Sequence, residues 1–194
     1  MPPDFVQEVA DLLGAPWPEL AATGDVLAQS RPFAGLPPDT VWDVFAPSNP
    51  HMPRVAVGRA RSGEPVLLDG LSEEIAAKLS SMGADVPDAT TAVGYVLEVA
   101  ALAGRSDAYA QVVRDPDSID WRPGSPEEEA RKSALLASPE LLPAAVPANG
   151  GFAVSVTLLR GEDAVRADFA VDPFGQVTVE ERVLATGLPL PVVF

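Results

Sequence analysis

The sequence predicts an α+β protein, with helices packed on an antiparallel β-sheet that ends in a three-stranded meander. Three observations carry that reading. Apolar residues recur at a spacing of three to four in four stretches, each with a cap or a stop at its end. Residues 152–186 instead alternate apolar and polar side chains, with a turn signal at each break. Asn149-Gly150-Gly151 separates the two patterns, as a boundary within one fold rather than a firm domain boundary, and the 194 residues are read as a single domain.

Asp4 can cap a first helix over 4–13, where Phe5, Val6, Val9, Leu12 and Leu13 share a face and Gly14 is the stop. Residues 14–53 are punctuated by proline and read as an irregular packing segment, with one helical turn carrying Val41, Trp42, Val44 and Phe45. Its aromatic content argues that it packs onto something; a flexible linker would be rich in Gly and Ser. Residues 54–60 and 65–68 form a hairpin about Ser62-Gly63-Glu64, and this hairpin is a candidate to join the C-terminal sheet. Helices follow at 71–82, 91–113 and 126–137. The second includes a continuation capped by Ser106 through Tyr109, Val112 and Val113, stopped at Asp115-Pro116. The third opens on Ser125-Pro126-Glu127-Glu128, which has the spacing of a capping box. Residues 138–151 read as a loop into the sheet.

The meander is the most derivable piece. A two-residue turn at Gly161-Glu162 pairs Arg160 with Asp163, so Leu158 faces Val165, Val156 faces Ala167 and Val154 faces Phe169. A turn at Asp172-Pro173-Phe174-Gly175 pairs Asp172 with Gln176, so Val171 faces Val177 and Phe169 faces Val179. Both turns put the apolar residues on one side, and Glu181 then falls opposite Ala167. Three readings of Glu181 stay open. It is a carboxylate on the apolar face, hence a candidate catalytic acid or base. Or Glu180-Glu181 forms a bulge that sends both acids to solvent. Or the sheet outruns its covering helix and the position is wet. The second and third are the preferred pair. The opposite face, with Thr157, Arg166, Asp168, Thr178, Glu180 and Arg182, reads as solvated and laced with charge. A helix followed by a long meander resembles cystatin-like or NTF2-like architecture; no motif of either carries the comparison further.

Composition narrows the function. Cysteine is absent, which removes disulfides, thiolate metal sites and thiol nucleophiles. The formal net charge is −15 with no local basic stripe, so nucleic acid is not an expected partner. The N-terminus has no basic region, and the longest apolar run falls short of the about 20 residues a membrane helix needs, so a cytoplasmic protein without a membrane partner is expected. His51 is the sole histidine and no Gly-x-Ser-x-Gly elbow occurs. Asp115, Asp117 and Asp120 suggest the start of a calcium loop, but its sixth position is Asp120 and its twelfth is Pro126. No phosphate-binding glycine loop is present, and no cofactor or metal is expected. The leading expectation is a non-catalytic binding or accessory protein, docking a partner or a second copy through residues 14–53. The alternatives are an enzyme or small-ligand binder with a pocket under the meander using Glu181, and an acidic immunity or nucleic-acid-mimic protein.

Overall fold

A computed structural model describes residues 3–106 and 111–191. Its elements are α1 (Pro3–Leu13), α2 (Trp17–Ala22), β1 (Leu27–Ser30), β2 (Val41–Phe45), β3 (Val55–Arg59), β4 (Pro65–Leu67), α3 (Ser72–Ser81), α4 (Ala89–Ser106), β5 (Gln111–Val113), α5 (Pro126–Leu136), β6 (Ala144–Ala148), β7 (Gly151–Arg160), β8 (Asp163–Val171) and β9 (Val177–Ala185). The α+β class stands, with two antiparallel sheets. One is four-stranded, ordered β1-β2-β3-β4. The other is five-stranded, ordered β5-β7-β8-β9, with β6 also pairing β7. The hairpin at 54–68 is present as β3 and β4, but it belongs to the first sheet and not to the meander's sheet.

Residues 14–53 are not irregular. They hold α2, β1 and β2, and the turn of helix read at 41–45 is strand β2. The cause is burial on both faces. Val41 turns to one core while Trp42 and Val44 turn to another, so the period-two signal that marks a half-exposed strand is missing. The helix expected over 91–113 ends at Ser106. Val112 and Val113 form β5 instead, because the Leu158 end of β7 offers them a pairing edge. The continuation through Tyr109 lies outside the described residues. The 138–151 loop contains a short 3-10 turn at Pro139–Leu141 and then β6, an edge strand that tolerates Pro147 because, among the described residues, no strand lies beyond it.

Three apolar clusters hold these pieces together. Phe5, Val9, Trp17, Trp42, Val44 and Val57 join α1 and α2 to one face of the first sheet, with the Phe5 and Trp42 rings 5.3 Å apart. The largest cluster takes Val41, Ala56 and Leu68 from the first sheet's other face. It adds Ile75, Leu79, Tyr95 and Val99 from α3 and α4, then Val154, Val156, Ala167, Phe169 and Val177 from the second sheet. Helices α3 and α4 thus share one core with both sheets. A third cluster packs Leu135 of α5 with Leu141, Leu159 and Leu188. The helix carrying Leu135 starts as its sequence dictates. The Glu128 amide donates to Ser125 Oγ at 3.3 Å, and the Ser125 amide donates to Glu128 Oε2 at 2.6 Å. The bond from the Ser125 amide, and next the one that Arg122 Nη2 donates to Glu128 Oε1 at 2.7 Å, lower the Glu128 pKa to about 2.

The meander has the register its turns specify, from Arg160↔Asp163 to Val154↔Phe169 and from Val171↔Val177 to Ala167↔Glu181. Gly161 adopts φ 57° and Gly175 φ 78°, in the left-handed region glycine favours. The Gly175 turn is also anchored from below, since the buried Tyr95 hydroxyl donates to its carbonyl at 2.8 Å. Burial, and then the Asp172 charge, push the Tyr95 phenol well above its ordinary value.

Tyr95→Phe should therefore lower stability by about 1–3 kcal/mol, by leaving a buried carbonyl without this donor. Gly175→Ala should cost more, because its Cβ would sit 2.7 Å from the Tyr95 hydroxyl at a positive φ. Urea unfolding of both variants checks the ranking; a wild-type midpoint for Tyr95→Phe would remove the anchor from this account.

Candidate functional site

Strand β9 keeps the regular register through Glu181, so the bulge expected at Glu180-Glu181 is not there. It occurs three residues later. Val165 pairs Val183 and Ala164 pairs Ala185, leaving Leu184 as the extra residue. Leu184 turns to the cluster around Leu135 and Leu188. Glu181 consequently points to the same face as Val177 and Val179, on a stretch where cover is thin: its side chain is 36% exposed, and Val183 beyond it is 59% exposed. That is the wet end of the sheet, and it is also the wall of a cleft.

The cleft measures ≈190 Å³ and lies between the start of α3, the end of α4 and the sheet. Leu71, Ala100, Ala103, Leu158 and Val179 give it apolar walls, Arg160 and Glu181 supply charge on the sheet side, and Ser72 and Glu73 line it from the start of α3. Alternation along β7 places Arg160 on the face of Val154, Val156 and Leu158. From there its guanidinium forks onto the carboxylate, Nη1 to Oε2 at 2.6 Å and Nη2 to Oε1 at 2.8 Å. The fork sets both groups by two parallel bonds, a geometry specific to arginine. Sequence reading assigned Arg160 to the hairpin turn and missed it as a site residue. The signal was present, since the same period-two count that singles out Glu181 puts Arg160 on the same face.

A second charged node lies deeper. Glu98, midway along α4, accepts from Arg31 Nη2 at 2.5 Å and from Arg114 Nη2 at 2.6 Å, and Arg31 also reaches Asp43 at 3.3 Å. Arg31 follows β1, Asp43 lies on β2 and Arg114 follows β5, so one carboxylate links both sheets through α4. Burial alone would raise the Glu98 pKa. The bonds from Arg114 and Arg31 outweigh it and hold the carboxyl below its ordinary value. This is a joint within the fold.

The outer face of the second sheet is not solvated throughout, as its alternation suggested. Thr157 and Arg166 are buried there, because residues 139–142 fold back across them. Arg166 Nη1 donates to the carbonyls of Glu140 and Leu142, and Thr157 Oγ1 donates to the Glu140 carbonyl at 3.0 Å. Burial lowers the Arg166 pKa against the opposing charges of Asp168 and Glu140. Asp168, Glu180 and Arg182 do face solvent. Arg182 pairs with Glu140 at 2.7 Å.

The remaining sequence candidates stay apart from the cleft. His51 is exposed in a turn. Asp115 caps the short 3-10 turn at Pro116–Ser118 by accepting from the Asp117 amide at 2.9 Å. Trp17 and Trp42 are buried in the first sheet's core, and Trp121 lies under Lys132, 5.3 Å from its ring. Among the described residues no group of three His, Cys, Asp or Glu side chains converges on a metal position, and no helix is long and apolar enough to cross a membrane.

Two measurements separate the two nodes. A double-mutant cycle with Arg160→Met and Glu181→Gln should give a coupling of about 0.5–1 kcal/mol, since the pair is one-third exposed. Glu98→Gln should cost more and should change the acid limb. A folded-state pKa below the ordinary 4.5 means that Glu98 contributes fully above that pH and loses its contribution as pH falls through the lowered value. The wild type should therefore lose stability on acidification more steeply than Glu98→Gln; parallel pH curves would contradict the assignment.

No family model, curated protein or solved structure matches this chain.

Proposed function

We propose that this is a non-catalytic binding protein whose contact point is the Arg160–Glu181 cleft. The observation that carries the reading is the fork itself: a matched cation and anion set side by side in a cleft whose other walls are mostly apolar, with Ser72 and Glu73 at the α3 side. Both carboxylate oxygens are engaged by Arg160, which favours a role in recognition over proton transfer by Glu181. The cleft's ≈190 Å³ is below the roughly 300–1,000 Å³ of sites for drug-sized ligands, so its occupant is small. A compact zwitterion with a short apolar body suits it best. Its carboxylate would take donors of Arg160, its ammonium would face Glu181, and its apolar part would lie on Leu158 and Val179. The aromatic side chains that suggested docking through residues 14–53 are largely used internally, with Trp17, Phe33 and Trp42 buried. That moves the proposed contact surface to the cleft.

A second reading rests on charge. Eight of the chain's basic side chains, Arg31, Lys78, Arg114, Arg122, Lys132, Arg160, Arg166 and Arg182, are already in ion pairs. The surplus that makes up the net charge of −15 therefore faces outward largely uncompensated, and a basic protein surface is the partner it would attract.

Methyl NMR titration with free valine and leucine tests the first reading. Saturable shifts are expected at the Leu158 and Val179 methyls, with weaker response to butyrate or butylamine, which each carry one charge. Glu181→Gln should stay folded and lose the response. If neither amino acid perturbs these methyls, the cleft is not such a site. A basic partner would instead show binding that weakens steeply with added salt.

A further inference from the structure

From the edge strand β9 we infer that this protein forms a two-fold symmetric dimer by pairing β9 with β9 of a second copy, joining two five-stranded sheets into one. Among the described residues strand β9 ends the sheet order, so one row of its amides and carbonyls points away from β8. Which residues supply that row follows from the turn. The Asp172 amide donates to the Gln176 carbonyl at 3.0 Å, making Asp172 and Gln176 a hydrogen-bonded pair. Bonded and non-bonded pairs alternate along an antiparallel ladder. Thr178, Glu180 and Arg182 therefore direct their backbone groups to β8, and Val177, Val179, Glu181 and Val183 direct theirs outward.

A two-fold axis through Glu181 brings the outward groups of two copies together. Glu181 meets Glu181 of the second copy as a bonded pair, and Val179 meets Val183 on each side. Glu180 then lies opposite Arg182 twice, as non-bonded pairs, where side chains come closest. Shifting the axis by one residue either way pairs Glu180 with itself or Arg182 with itself and removes both opposite-charge pairs. The sequence Glu180-Glu181-Arg182 is thus self-complementary in one register, as an isologous interface requires.

The side chains are in a state to use it. Glu180 is exposed, and no hydrogen bond or ion pair engages its carboxylate among the described residues. Arg182 is half-exposed. It uses Nη2 toward Glu140, while its Nε lies 4.0 Å from Asp168, and a guanidinium has five N–H donors. Val183 is 59% exposed and would be covered by Val179 of the other copy. The two Glu181 carboxylates would face one another as like charges, but each already holds its own Arg160. The pairing is strand addition to a sheet edge, with an identical strand as the occupant.

Sedimentation velocity over a concentration series, at physiological ionic strength so that the −15 charge is screened, tests this. The wild type should move from 20.2 kDa to twice that mass. Glu180→Arg or Arg182→Glu alone should each weaken dimerisation by about tenfold or more, by turning two opposite-charge pairs into like-charge pairs. The double exchange E180R/R182E should restore it. Val183→Lys, at an exposed site, should abolish it, while its urea midpoint matches that of the wild type at concentrations where the wild type is monomeric and falls below it where the wild type is dimeric. A chain that remains at monomer mass at the highest concentration overturns the proposal, as does a dimer indifferent to Val183→Lys.

Discussion

Gly161 and Gly175 let two tight turns hold β7, β8 and β9 in one register, and most of the rest depends on that register. It aligns Val154, Val156 and Leu158 with Val165, Ala167 and Phe169, and these with Val177 and Val179, so that one apolar surface exists for α3 and α4 to cover. A slip of one residue would send every one of these side chains to the other face. The same count places Arg160 and Glu181 together at the end of that surface. The cleft is thus a by-product of the constraint that builds the core, located where the helices stop.

The helices beneath the meander serve two sheets at once. Side chains of α3 and α4 meet Val41, Ala56 and Leu68 on one side and the meander on the other, and Glu98 ties the same three parts by charge. Apolar contact supplies the larger share of the stabilisation, since it removes whole side chains from water. The ion pairs around Glu98 add direction: they fix how the β1–β2 edge and β5 sit against α4.

What could be read from the sequence follows a physical line. Where one face of a strand carries polar side chains, covered or not, alternation is visible, and β7 through β9 were legible down to residue pairs, including Glu181 opposite Ala167. Where both faces are covered, as in β2, Val41-Trp42-Asp43-Val44-Phe45 shows no alternation and passes for a helical turn. Where a short strand exists only because a longer one offers an edge, as β5 and β6 do on β7, its own residues say little. The burial of Arg166 was illegible for the same reason, since it depends on residues 139–142 returning from a distance. The bulge was anticipated in kind and misplaced by three residues. Glu180-Glu181 looked like the disruption, but the Leu184 side chain has an apolar cluster to join, and the carboxylates do not.

Strands β5 and β6 pair with the same edge of β7, one at Thr157–Leu159 and the other at Gly151–Ser155, and the chain between them leaves the sheet to build α5 and returns. That excursion starts and ends on one strand, so its length does not enter the sheet's arithmetic. Residues can be added in its exposed stretches, such as Asp117-Ser118, at the small entropic cost of a longer loop. A single residue added inside β7 would misalign β5, β6 and β8 together. The fold therefore separates a stretch that tolerates insertion from a strand that does not, and homologous chains that differ in length would be expected to differ there.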